Sequence, residues 1–280
     1  PAESRQTTTK GTSLRPFDPI RLRSCRTMAS TRAWVCSDAA MAGKADVRVI
    51  QPLPFLPVLR PLSPWARAPS RDAGGVTIEH APMFYLPGAL KALDARWLER
   101  SVYPKLAALH AAGELDAIDA HFGYPDGVGC VRAARRLGIP VFVTLRGMEV
   151  DALRTRGIRP QLIRALREAD GCITVSHSLR DIAVEVGVAP GKFLVAPNAV
   201  DRAAFRPGDR VAARRQLGLH DAAPLIVSVG HLIAGKGHAV LIRALASLRK
   251  SRPDARLAII GGPAYEPDHP LVLAQIAREA

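Results

Sequence analysis

From Leu115 to Gly262 the chain alternates short apolar runs with longer amphipathic ones, and this order constrains the fold more than any other feature. LDAIDAHF (115–122), PVFVTL (140–145), GCITV (171–175) and FLVAP (193–197) have the length and composition of strands. Between them, 126–138, 159–170 and 176–187 place apolar residues at helical spacing. Gly138 suits the end of the first helix and Ser176 the N-cap of the third. Nearly continuous apolar strands joined by helices pair in parallel, with helices on both faces of the sheet. An α/β fold is predicted.

The alternation breaks at NAVDRAAFRPGDRVAARRQLG and then restarts. PLIVSVG (224–230) and RLAIIGG (256–262) read as strands, with a helix at 237–250 between them. A domain boundary is expected near 202–208. Two strands make a poor parallel sheet and domains usually run to ~100 residues, so the second domain is expected to be incomplete. The predicted organisation is an atypical basic segment at 1–44, a Rossmann-like domain at 45–204 and a truncated domain at 205–280.

Residues 1–44 carry eight Lys or Arg against three acids and show no sustained period. They are expected to lack order, whether through a shifted reading frame, a misplaced start or as a genuine extension. DVRVI (46–50) reads as a buried strand. QPLPFLPVLRPLSPW follows, with five prolines in fifteen residues. Proline that dense excludes helix and central strand, so an extended surface loop is expected over 52–64. GVTIEHAPMFYLPG (75–88) supplies another strand, and 89–111 a helix bent at Pro104.

The net charge of +14 favours anionic partners without choosing among phosphorylated substrates, acidic lipid headgroups and nucleic acid. Arginine scattered along the chain, with few aromatics, speaks against nucleic acid. The four cysteines form no CxxC pair and suit neither zinc nor a disulfide framework, which fits a reducing compartment. No apolar run reaches the ~18 residues of a transmembrane helix, and no signal-peptide pattern opens the chain. A cytoplasmic location follows as the expectation.

Chemistry is concentrated in the loop after the 224–230 strand. Gly230 to Lys236 fits the spacing G-x-x-x-x-G-K, but Gly237 stands where a triphosphate site needs the Ser or Thr that holds magnesium. A nucleoside triphosphatase is therefore disfavoured. A sugar nucleotide asks for less: its diphosphate meets free N–H groups at a helix N-terminus, a lysine charge and glycines that permit close approach. An ordinary strand-to-helix turn with a solvated lysine explains the pattern equally well.

The Gly230–Gly237 stretch, Pro197-Asn198-Ala199-Val200-Asp201 with Phe205-Arg206-Pro207, and 116–151 with its Tyr124-Pro125-Asp126-Gly127 turn occur in one order. Together they resemble family 4 retaining glycosyltransferases of the bacterial exopolysaccharide or lipid-linked glycan type. Several positions depart from that family's usual text. His231 replaces arginine, Ala199 replaces glycine, Arg146 replaces histidine and Glu149 replaces aspartate. Ala199 would cost about 1 kcal/mol or more if its position required a positive φ.

The resemblance implies a GT-B fold: two Rossmann-like parallel-sheet domains facing a cleft, the second incomplete. It implies transfer of a sugar from a nucleotide diphosphate donor to an acceptor hydroxyl with retention of configuration, without cofactor or metal. Lys236 and Arg146 are the implied catalytic cations. Gly230, His231, Gly235, Lys236, Gly237 and Asn198 are implied around the donor. His121, Tyr124, Asp126, Arg146 and Glu149 are implied on the acceptor side, where Asp126 reads equally as a turn residue and His121 as a packed histidine. The acceptor is expected to be a glycan or lipid-linked glycan. Trp65, Trp97 and Phe84 are candidates for contact with a lipid-linked acceptor, with core packing the alternative for two of the three, and the 52–64 loop is a candidate for peripheral contact at the inner face of the cytoplasmic membrane. A glutamate pair of the family would lie beyond Ala280, so the chain as it stands is expected to be inactive or poorly folded. The competing classes are a sugar-nucleotide epimerase of the same architecture, which the 198–201 and 235–237 segments disfavour, and a basic nucleic-acid-binding protein.

Overall fold

The computed structural model describes residues 24–28, 45–56, 70–71, 77–200, 202, 205–219, 223–262 and 268–279. The chain divides into two compact units, Pro1–Ala199 and Val200–Ala280.

The first unit is built on an eight-stranded sheet. Its strands are β1 (Ser24–Met28), β2 (Asp46–Phe55), β3 (Ser70–Arg71), β4 (Thr77–Phe84), β5 (Ala117–His121), β6 (Val141–Leu145), β7 (Gly171–Thr174) and β8 (Phe193–Val195). Their spatial order is β3-β4-β2-β1-β5-β6-β7-β8, and every pairing is parallel except that of the two-residue β3 with β4. The order reverses between β1 and β5, and open α/β sheets bind ligands outside the carboxyl ends of the strands at such a switch point.

Helices α1 (Asp94–Ala111), α2 (Val128–Leu137), α3 (Glu149–Arg154), α4 (Arg159–Glu168) and α5 (His177–Glu185) join the strands. The main core gathers the apolar stripes of the helices and the inner strands: Leu98, Leu106, Ile118, Leu145, Leu162 and Leu166 are almost wholly buried. Burying each such side chain is worth about 2 kcal/mol. Helix ends follow local chemistry. Ser176 accepts from the Leu179 amide at 3.3 Å, and Gly138 closes α2 in the left-handed region at φ 70°. α1 continues through Pro104.

Two expectations need correction, and one condition is resolved. Within the stretch expected to lack order, Ser24–Met28 is a strand between β2 and β5. SCRTM carries too little apolar text to announce itself; pairing on both edges holds it. The remainder of 1–44 lies outside the described residues.

Pro52 and Pro54 belong to β2 and not to a surface loop. Phe55 accepts from the Tyr85 amide at 3.0 Å, so the odd-numbered residues of this stretch face β4. The even-numbered prolines point to the other edge, beyond the last β1 partner pair, Thr27↔Val49. They stand where no donor is asked of them. Pro82 in β4 likewise has the parity that faces away from β2. Trp65 and residues 57–64 lie outside the described residues.

Ala199 is not strained. The described non-glycine residues with positive φ are Leu90 and Phe122.

The second unit contains α6 (Arg210–Gln216), β9 (Leu225–Val229), α7 (His238–Leu248), β10 (Arg256–Ile260) and α8 (His269–Glu279). β9 and β10 pair in parallel. Val227, Val229 and Ile260 are more than half exposed. Ile242 and Leu273 are buried between the helices and the sheet, beside an open apolar cavity of about 500 Å³ lined by Leu232, Leu245, Leu257 and Ile259 among others.

Candidate functional site

In the first unit, the expected residues converge at the carboxyl ends of β5 to β8. Alternation along a strand puts Asp119 and His121 on one face, and the register sets His121 beside Thr144 of β6. Arg146 follows two residues after Thr144. Thr144 Oγ1 donates to Asp119 Oδ1 at 2.9 Å, and His121 Nε2 lies 3.1 Å from Asp119 Oδ2. Arg146 reaches His121 Nδ1 through Nη2 and Asn198 Oδ1 through Nη1, both at 3.0 Å. His121 is 2% exposed with both ring nitrogens engaged, so it reads as packed and not as a sugar contact. Arg146 is half-buried, and Asn198 is exposed.

Glu149 does structural work in its first turn of α3. It is 2% exposed, and its carboxylate accepts from the amides of Gly123 (2.8 Å), Arg146 (3.1 Å) and Gly147 (2.7 Å). It thereby ties the loop after β5 to the loop after β6. Gly123 is required there: a Cβ would stand 2.9 Å from Glu149 Cγ and 2.7 Å from Leu162 Cδ1.

Asp126 is buried beneath the turn. Burial, reinforced by the Glu149 charge, pushes its carboxyl up to about 7. The Tyr124 hydroxyl donates to the Lys91 carbonyl, which braces the turn against the segment before α1. Of the five expected acceptor-side residues, Glu149 and Asp126 are thus buried and Tyr124 is bonded to the backbone before α1. Phe122 holds φ 73° at the end of β5, an unusual conformation for a side-chain-bearing residue and one found beside sites.

The second unit presents the Gly230–Gly237 loop between β9 and α7. Gly230 and Gly261 end adjacent strands in close contact, with Gly230 N bonded to the Ile260 carbonyl at 2.9 Å. A single 3₁₀ turn, Ala234–Lys236, leads to Gly237 at φ 71°, the left-handed residue that starts α7. Lys236 is exposed, and its methylene stem passes about 3.5 Å from where a Cβ on Gly230 would sit. Gly235 and His231 are exposed beside it.

His238 escaped the sequence reading. It is 1% exposed, bonded through Nδ1 to Ser228 Oγ and through Nε2 to the His231 carbonyl, both at 3.1 Å. A carbonyl only accepts, so Nε2 carries a proton. The imidazole pins the loop from beneath. The legible signal was a histidine at the first turn of an apolar helix facing a strand serine. Asp119 and Thr144 were missed too; polar residues two before His121 and Arg146 in otherwise apolar strands were their signal.

Cys130 and Cys172 are buried thiols; burial pushes the first well up and the second to about 12, so neither is a nucleophile. Among the described residues, no group of three His, Cys, Asp or Glu is placed to hold a metal ion. No helix among them is long and apolar enough to cross a membrane.

The family model for Glycosyltransferase Family 4 matches residues 62–204, and that for Glycosyl transferases group 1 matches residues 209–274. The chain belongs to Glycosyltransferase Family 4. Among curated members, the chain is 31% identical over 187 residues to the D-inositol 3-phosphate glycosyltransferase of Stackebrandtia nassauensis. That match takes in 61% of this chain and 42% of the relative, so the chain spans less than half of the relative's length.

The Family 4 chain also shares its fold with sucrose-phosphate synthase from Thermosynechococcus elongatus: TM-score 0.67, 16% identity, 92% of this chain and 67% of that one. The HepE protein of Anabaena, solved with UDP and glucose, gives TM-score 0.65 at 18% identity, over 92% of this chain and 66% of that one. The fold is thus GT-B, with parallel α/β sheets, and membership of Family 4 makes the chain part of a glycosyltransferase enzyme at family level.

Proposed function

We propose that the protein transfers a sugar from a nucleoside diphosphate donor to an acceptor hydroxyl, with retention at the anomeric carbon. The observation that carries this reading is the β9–α7 loop. Its left-handed Gly237, the exposed Lys236 and the N-terminus of an eleven-residue helix gather positive charge and backbone donors at one point. A diphosphate is the fitting ligand: Lys236 and the helix stabilise the charge that builds on the leaving group as the glycosidic bond to the donor breaks. The HepE protein, of like fold, binds UDP and glucose in its crystal structure, which supports a uridine nucleotide as the first donor to try.

Arg146 is a cation at the site of the first unit. It lacks the capacity to accept a proton, so its part is to hold a phosphate or a sugar hydroxyl. The acceptor in this reading is a glycan or lipid-linked glycan in polysaccharide or glycolipid synthesis, met at the cytoplasmic face of a membrane. The name of the Stackebrandtia relative favours a second acceptor class, an inositol phosphate.

The test is equilibrium binding of UDP-glucose, UDP-N-acetylglucosamine and duplex DNA to the chain and to Lys236→Ala. We expect sugar-nucleotide binding that falls at least tenfold in the variant, a loss of about 1.4 kcal/mol. Unchanged affinity, or salt-sensitive DNA binding with no sugar-nucleotide binding, overturns the reading. Incubation of the active protein with D-inositol 3-phosphate or a lipid-linked glycan separates the two acceptor classes, and the anomeric coupling of the product reports retention.

A further inference from the structure

Arginine only donates hydrogen bonds. The 3.0 Å contact from Arg146 Nη2 to His121 Nδ1 therefore requires a lone pair on Nδ1. The remaining ring proton belongs to Nε2, where Asp119 Oδ2 accepts it at 3.1 Å. Asp119 is itself fixed, because its other oxygen accepts from Thr144 at 2.9 Å. The pattern Asp-x-His on β5 and Thr-x-Arg at the end of β6 forms one chain of oriented bonds on one face of the sheet.

We propose that Asp119 and His121 are positioning residues that set the orientation of the Arg146 guanidinium through a fixed, neutral histidine tautomer. Asp119 selects the Nε2–H form, as a carboxylate selects the tautomer of a metal-bound or catalytic histidine. The selected form offers Nδ1 to Arg146. With Nη2 held from within and Nη1 held by Asn198, the guanidinium plane is set before any ligand arrives. The rotamer freedom that an arginine gives up on binding is then already lost in the free protein. This rests on the glycosyl-transfer reading only for what Arg146 meets; the positioning itself needs no ligand.

Nitrogen-resolved NMR of the full chain, labelled at histidine and arginine, tests the proposal at neutral pH. The parent should show His121 with a protonated Nε2 and an unprotonated Nδ1. Its Arg146 should give separate Nη1 and Nη2 signals, the sign of hindered rotation. In Asp119→Ala, with the histidine kept, both tautomers should be populated and the Arg146 signals should merge. His121→Phe should merge them as well, and His121→Gln, which keeps an acceptor oxygen, should restore part of the separation. A proton on His121 Nδ1 in the parent overturns the proposal. So do Arg146 signals left unchanged by Asp119→Ala, which decides the matter even where His121→Phe does not fold. Failure of Lys236-dependent donor binding would leave all of these signals in place, so the two readings fail separately.

Discussion

A Cβ built on Gly261 would lie 1.8 Å from the carbonyl oxygen of Gly230. The two glycines end β10 and β9, where Gly230 N bonds to the Ile260 carbonyl and Leu232 N to the Gly262 carbonyl, each at 2.9 Å. Backbone here leaves no room for a side chain, and neither strand can yield without losing those bonds. Gly261→Ala should therefore destabilise the second unit by about 3 kcal/mol. The neighbouring Gly262→Ala meets nothing within 4 Å and should be close to neutral. Denaturant unfolding of the two variants makes the comparison.

Asp126 makes stability depend on pH. Its carboxyl moves from 3.8 when unfolded up to about 7 when folded, chiefly through burial. Below about pH 4 both states hold the proton. Between 4 and 7 only the folded state keeps it, so stability falls as pH rises and the full cost is present above 7. That cost is on the order of 4 kcal/mol. Asp126→Asn should remove the slope and leave the variant more stable than the parent in mildly alkaline buffer. Thermal melts across the pH range show whether the slope disappears.

Glu149→Gln removes a carboxylate that three backbone amides share. A glutamine offers one oxygen, and its NH2 would face an amide donor. At least one buried N–H loses its acceptor, for a loss of about 1–3 kcal/mol. Faster hydrogen exchange at Gly123 or Gly147, with a lower urea midpoint, is the expected result.

His238→Leu keeps most of the volume in the core but leaves the His231 carbonyl and the Ser228 hydroxyl without their partner. We expect about 2 kcal/mol of lost stability and weaker sugar-nucleotide binding, although Lys236 is untouched. Affinity equal to that of the parent would mean that the loop needs no support from beneath.

The second half of the first unit was readable because its strands are mostly apolar and alternate with amphipathic helices. Val141–Leu145 and Gly171–Thr174 fall within a residue or two of the segments read from the text, and so do α2, α4 and α5, whereas the short α3 between the two strands was not expected. Ser24–Met28 was not readable. Its place in the sheet comes from edge pairing with residues 46–49 and 117–120, and a local window carries no record of a distant partner. The same holds for Pro52 and Pro54. Local propensity rejects them from a strand, and they are accepted because their nitrogens face the edge of β2 beyond its last described pairing with β1, Thr27↔Val49.

At the site, text alone picked out Arg146, His121, Glu149, Asp126 and Lys236 as residues of interest. It could not assign their work. A carboxylate reads the same whether it meets a ligand or three backbone amides, because residue type sets what a group can bond and not what stands beside it. Sequence by itself therefore determined the α/β alternation, the family and the cationic loop, all properties of local pattern and chemical type. Tertiary structure alone decided that Glu149 and Asp126 are buried in the scaffold, that β1 completes the sheet, and that Asp119 and His121 stand behind Arg146. Those facts depend on strand register and on contacts between residues tens of positions apart, which no short stretch of chain encodes.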